Sequence, residues 1–129
     1  MILRLVRRVS FSAGVKFPDS TQAPLYGAAA GARGLGCNYG VEAHVEGPVD
    51  PLTGMIVNLR DLDLWLREVV GAMDHHVLNE LPAFKGRVPT AELIAAHVFS
   101  EVSLRVRGAA KLVKVRVTVG EGLAADVFG

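Results

Sequence analysis

Asp74 stands directly beside His75, and His76 follows at once. A carboxylate next to an imidazole can hold the ring in one tautomer and stabilise its charged form, as a general acid or base requires. The same dipeptide also serves as a polar helix-end cap, so the pair alone leaves both readings open. Few other residues offer chemistry. Cys37 is the single cysteine; its thiol can act as a nucleophile or pack as a small hydrophobe. Glu121, in Val119-Gly120-Glu121-Gly122, is either a ligand carboxylate or a turn residue. Lys16 and Arg33 can supply positive charge to a polar or phosphorylated substrate. His76 reads as solvent-exposed or at an interface, His44 as surface or cross-strand paired, and His97 as structural.

These groups need elements to position them. Ile2 to Phe11 predicts a strand, with Leu3, Leu5 and Phe11 alternating imperfectly with Arg4, Arg8 and Ser10. Pro18 to Gly36 is a Gly- and Ala-rich stretch without a period, and a loop of that length is often functional. Tyr39 to Gly47 is the cleanest strand, Val41, Ala43 and Val45 on one face and Glu42, His44 and Glu46 on the other. Pro48 to Gly54 has turn composition. Asn58 or Asp61 caps a helix whose Leu62, Leu66, Val69, Val70 and Met73 recur at helical spacing and lead into Asp74-His75.

Leu81-Pro82 and Val88-Pro89 bracket a loop. Thr90 is a good N-cap for a second helix, and Glu92 suits the positive end of its dipole. Ile94, Val98, Val102 and Leu104 form its apolar stripe, and Trp65 on the first helix packs against the sheet or a neighbour. Leu112 to Val119 is a strand with Val113, Val115, Val117 and Val119 inward, and Leu123 to Phe128 a short last one. Strands grouped on either side of two helices predict an α+β sandwich, an antiparallel sheet covered on one face. Its two open edges must be covered or paired, and edge pairing between subunits answers that.

The 129 residues fit one domain, 1–129. Half are apolar and 21% charged, which excludes a disordered chain. A net charge of +1 with scattered basic residues indicates neither nucleic acid nor a membrane surface as partner. One cysteine allows no internal disulfide and suits a reducing cytoplasm. Residues 1–17 do not read as a signal peptide, and no run is long enough to span a bilayer.

Five short motifs stand in a shared order: Phe11-Ser12-Ala13, Asn38-Tyr39, Thr53-Gly54-Met55-Ile56-Val57, Asp74-His75-x-x-Leu78-Asn79 and Pro89-Thr90-Ala91-Glu92. Through them nearly the whole chain resembles the 6-pyruvoyl-tetrahydropterin synthase and 6-carboxy-tetrahydropterin synthase group. The resemblance implies the tunnelling fold (ββααββ), a four-stranded antiparallel sheet with two helices on one face. It implies subunits joined edge to edge into rings, two of which stack as a hexamer, a dimer of trimers. It also implies active sites between subunits and a pterin-like ligand held by Glu121 and by Thr90 and Glu92 at the second helix.

The resemblance further implies a zinc site of three histidines and a Cys-Asp-His triad. The positions matching the histidines hold Val15, Leu35 and Cys37, and the stretch matching the catalytic cysteine, Ala28 to Ala32, has no thiol or hydroxyl. The Asn that usually follows the second-helix Glu is Leu93. Aliphatic side chains cannot coordinate metal. Lewis-acid assistance contributes several kcal/mol to a transition state. The expectation is therefore a zinc-free protein, without cofactor, that catalyses neither parent reaction. It would bind a pterin-like or purine-like molecule at subunit interfaces, with Asp74 and His75 as a metal-independent, lyase- or aldolase-like acid–base pair. The alternatives are a non-catalytic pterin binder and a structural oligomer with a vestigial pocket.

Overall fold

The computed structural model describes residues 1–17 and 35–129. Four strands form one sheet: β1 (Arg4–Val15), β2 (Leu35–Glu46), β3 (Lys111–Val119) and β4 (Leu123–Phe128). Their order across the sheet is β1-β2-β3-β4, and every pair is antiparallel. Between β2 and β3 the chain runs through α1 (Leu59–Gly71) and α2 (Ala91–Arg105), with single 3₁₀ turns at Leu78–Glu80 and Pro82–Phe84. The element order is the expected ββααββ, and β1 and β2 extend beyond their predicted limits toward the segment between them, to Val15 and from Leu35.

Period-two alternation decides which face each strand buries. Phe11, Ala13 and Val15 of β1, Val41, Ala43 and Val45 of β2, and Val115 and Val117 of β3 pack into one core. Leu62, Leu66, Val69 and Val70 of α1 and Ile94, Ala95, Val98 and Val102 of α2 meet them there. Full burial of each such leucine or isoleucine contributes roughly 1.5–3 kcal/mol. Both helices start at side-chain caps: Asn58 Oδ1 accepts the Arg60 N–H at 2.9 Å and Thr90 Oγ1 accepts the Leu93 N–H at 3.3 Å.

Three packing expectations change. Leu104 is 68% exposed, because it lies two residues, about 200° of helix, beyond Val102. Val113 does not face inward: the β2–β3 register shifts between His44 and Val45, so Leu112 opposite Val45 is buried instead. His44 is only 8% exposed, with Nε2 3.1 Å from Glu42 Oε1 on its own strand and Lys114 as its register partner.

The sheet face opposite the helices carries charge in register. Arg8, Glu42, Arg116 and Asp126 lie side by side across all four strands. Arg116 grips Asp126 through two hydrogen bonds of 2.7 and 2.9 Å, and Arg8 reaches Glu42 at 3.2 Å. Planar guanidinium–carboxylate forks of this kind fix geometry as well as charge.

Candidate active site

Asp74 and His75 sit in the turn just beyond α1, not within it: the helix ends at Gly71 with Ala72 as its C-cap. The turn then runs along the outer edge of β1. The His75 N–H donates to Ser12 O at 2.7 Å, and the Gly14 N–H donates to His76 O at 2.8 Å. Asn79 completes the seam, its Oδ1 accepting the Lys16 N–H at 2.7 Å and its Nδ2 donating to Lys16 O at 2.9 Å. Residues 75–79 therefore cover the last third of an otherwise open edge strand.

This seam sets the acid–base pair. Asp74 Oδ1 accepts the Ser12 N–H at 3.0 Å and lies 3.0 Å from His75 Nδ1. The Ser12 amide, and then His75, hold the Asp74 carboxyl below the usual carboxylate range. A carboxylate at Nδ1 leaves Nε2 of the ring directed away from Asp74, and the His75 side chain is 82% exposed. His75 has φ 61°, the one left-handed residue other than glycine among the described residues. Such a conformation costs energy for an L-residue and is found disproportionately at functional turns.

The pair opens on a cleft of about 550 Å³ at the end of the charged sheet face. Ser12 and Asn38 form its floor, with Ser12 Oγ donating to Asn38 Oδ1 at 2.7 Å. Arg8, Thr118, Gly120 and Glu121 also line it. The Gly120 N–H donates to Asn38 O at 3.1 Å, which ties the Glu121 turn to β2. The structure thus brings Asp74, His75 and Glu121, separated by 46 or more positions in sequence, to one cleft. Arg8, Ser12, Asn38 and Thr118 were not singled out as site residues from the sequence. Only strand register reveals them, since each is an ordinary outward residue of its strand.

Thr90 and Glu92 do not line this cleft within the chain. Thr90 is occupied as the α2 cap, and Glu92 is exposed in its first turn. Lys16 pairs with Glu80 at 3.4 Å on the surface. His76 Nδ1 bonds Asp74 O at 2.8 Å, and His97 meets the Phe84 ring edge-on at 5.3 Å. A larger cavity of about 830 Å³ lies between α1 and α2, with Met73, Leu93 and Ala96 in its wall. Its wall also carries His97, Glu68 and Glu101, but Arg105 engages both carboxylates, at 3.0 and 2.9 Å, and His97 packs edge-on against Phe84. The carboxylates there are taken by a guanidinium, whereas Asp74 holds the His75 ring, and this difference in chemistry singles out the smaller cleft. The expected loop over Pro18 to Gly36 ends early, because β2 begins at Leu35; the rest of it, with Ala28 to Ala32 and Arg33, falls on residues 18–34, outside the described residues.

A sequence model of the family described as 6-pyruvoyl tetrahydropterin synthase matches residues 5–128. This chain belongs to the 6-pyruvoyl tetrahydropterin synthase family. It is 34% identical over 118 residues to the human protein named 6-pyruvoyl tetrahydrobiopterin synthase, covering 86% of this chain and 81% of that one. It is 35% identical over 95 residues to a putative 6-carboxy-5,6,7,8-tetrahydropterin synthase of Archaeoglobus fulgidus, covering 71% and 73%. The solved Caenorhabditis elegans 6-pyruvoyl tetrahydropterin synthase superposes with a TM-score of 0.90 at 25% identity, over 100% of this chain and 96% of that one. The tunnelling fold is therefore that of the family.

Family membership corrects the functional expectation. The sequence reading made this chain a diverged binder without the parent activity, and excluded a 6-pyruvoyl tetrahydropterin synthase. Relatives one-third identical over most of their length carry the synthase name, and they point to synthase activity. That reading gave the substituted positions more weight than the acid–base pair and cleft that the fold keeps together.

The zinc expected of the family does not fit these residues. Val15 is 1% exposed, inside the core. Leu35 is its register partner on β2, and Cys37 faces Ala13 one step along. Burial first, and then the neighbouring Cys37 thiol, push the Tyr39 hydroxyl up. One thiol among aliphatic side chains is not a zinc donor set. Among the described residues no three His, Cys, Asp or Glu side chains are grouped to hold a metal.

Proposed function

We propose that this chain is a synthase of the 6-pyruvoyl tetrahydropterin type, acting on a reduced pterin at the Asp74–His75 cleft. The observation that carries the reading is the carboxylate–imidazole pair, 3.0 Å apart and fixed to β1, facing the same cleft as Glu121. A pyruvoyl substituent has two adjacent carbonyls. Made from a dihydropterin whose side chain bears two hydroxyls and a terminal triphosphate ester, it needs no outside oxidant. A proton leaves the hydroxylated carbon next to the ring and one is returned to the ring, whose C=N bond is reduced as that carbon becomes a carbonyl; a proton then leaves the second hydroxylated carbon as triphosphate departs, and the resulting enol becomes the second carbonyl and a methyl group. His75 is the group that accepts and returns the proton. Asp74 holds its ring and stabilises the imidazolium. Glu121 accepts hydrogen bonds from the amino-pyrimidinone edge of the pterin, and the cleft walls hold the heterocycle.

We further propose that copies of the chain, each acting as one domain, close edge to edge into rings that stack as a hexamer. The even number of strands makes the two sheet edges, β1 and β4, run in opposite directions, so β4 of one copy can join β1 of the next antiparallel. The seam of residues 75–79 covers β1 only from Ser12 onward, and leaves an edge over 4–10 about as long as the six residues of β4. Thr90 and Glu92 then reach the cleft from a neighbouring copy. No helix among the described residues is long and apolar enough to cross a membrane, and the proposed setting is the cytoplasm.

The test is incubation with dihydroneopterin triphosphate and identification of the pterin product by mass. Formation of a 6-pyruvoyl product that disappears in His75→Ala is expected. A folded, pterin-binding chain that leaves this substrate untouched would overturn the reading.

A further inference from the structure

We infer that this chain works without a metal ion: the three positions where its family would hold zinc carry no histidine, and two of them, Val15 and Cys37, sit in or against the hydrophobic core. The inference rests on the synthase reading only for where that metal is expected. Its basis is the donor inventory and how each donor is used. The chain has four histidines and one cysteine. His44 lies on the far face of the sheet against Glu42, and His97 lies on α2 against Phe84. His75 and His76 hold the Asp74 carboxylate and the Asp74 carbonyl through Nδ1 and keep Nε2 open, but among the described residues no group of three His, Cys, Asp or Glu is arranged to hold a metal there. Residues 18–34 bring no histidine, cysteine or glutamate, and only Asp19 as a carboxylate.

Val15 and Cys37 are not vacated ligands around a hole. Val15 is packed with Phe11, Ala13, Tyr39 and Leu78 in the core cluster, and Cys37 packs against the same cluster. Tyr39, two residues along the same strand, is buried with its ring stacked on Phe11, centroids 4.8 Å apart. A divalent cation there would face aliphatic carbon in place of two imidazoles, which structural and catalytic zinc sites do not tolerate. Charge developing on the substrate must then be met by His75, the cleft's hydrogen-bond donors and Arg8, whose guanidinium lies over Gly40 close enough to exclude a Cβ there.

The test uses the whole assembled chain. It is incubated with excess zinc, desalted, and analysed for metal by mass spectrometry, alongside melting scans with zinc and with EDTA. Zinc at background, with an unchanged melting temperature under both additives, is expected. One zinc per chain surviving desalting, or a melting temperature that falls with EDTA, would overturn the inference. Turnover insensitive to chelator is the further expected sign. Absent turnover would count against the proposed reaction alone, because metal content and melting are read without it. As a positive control, the triple variant V15H/L35H/C37H is expected to gain zinc if it folds; the measurements on the unsubstituted chain decide the matter if it does not.

Discussion

Replacing His75 by glycine should separate activity from stability, and in opposite directions. His75 has φ 61°, where an L-residue costs about 1–2 kcal/mol relative to a right-handed conformation. Glycine removes that cost but makes the unfolded chain looser, which takes back about 0.5–1 kcal/mol. Little else is lost on truncation. The imidazole is 82% exposed, its ion pair with Asp74 is at the surface, and the bond from the His75 amide to Ser12 O belongs to the backbone. The net expectation is a gain of roughly 0–1 kcal/mol, an upward shift of a few degrees at most in melting temperature for a chain of this size. Turnover should fall by about 10²–10⁴, the usual contribution of a positioned acid–base group. His75→Ala should lose the same activity without the gain in stability. Circular-dichroism melting and initial-rate assays on the three proteins decide it. A His75→Gly protein that melts many degrees lower would show the ring to be a structural prop. One that retains its turnover would remove His75 from the chemistry.

Glu121→Ala should abolish the melting shift produced by a saturating pterin while leaving the unliganded melting temperature unchanged, because the Gly120 amide, not the Glu121 side chain, anchors that turn. An undiminished shift would place the heterocycle elsewhere. The Arg116 fork pulls the Asp126 carboxyl down from 3.8 to about 2. Its folded value is depressed, so its contribution to stability is present above pH 3.8 and is lost as pH falls toward 2. Asp126→Asn should flatten that part of an acid-denaturation curve, and an unchanged curve would argue against the fork. Phe84 is fully buried and carries the edge contact to His97, so Phe84→Ala should cost about 3–5 kcal/mol in urea unfolding; a loss under 1 kcal/mol would mean that the site collapses without a cavity.

Much of this protein was legible because its signals are local. Alternation in 41–45 and the 3.6 period in 62–73 state which residues are buried, and Asn58 and Thr90 mark helix starts by side chains that bond amides two or three residues away. Val113 and Leu104 were misread for equally physical reasons. A bulge opposite His44 moves the inward position by one residue, and no periodicity within β3 encodes its partner's irregularity. Leu104 continued an apolar list but not an apolar face.

The Asp74–His75 pair and its position after an amphipathic run are properties of the sequence alone, as are the aliphatic residues at positions 15 and 35 and the lone thiol at 37. Tertiary structure alone decided that this turn lies against β1, that Ser12 orients the carboxylate, and that Glu121 arrives at the same cleft with Arg8 and Thr118. The reason is the length scale of the interactions. Propensity and capping act over a few residues of chain, whereas a cleft is assembled by hydrogen bonds between strands whose register no single segment contains.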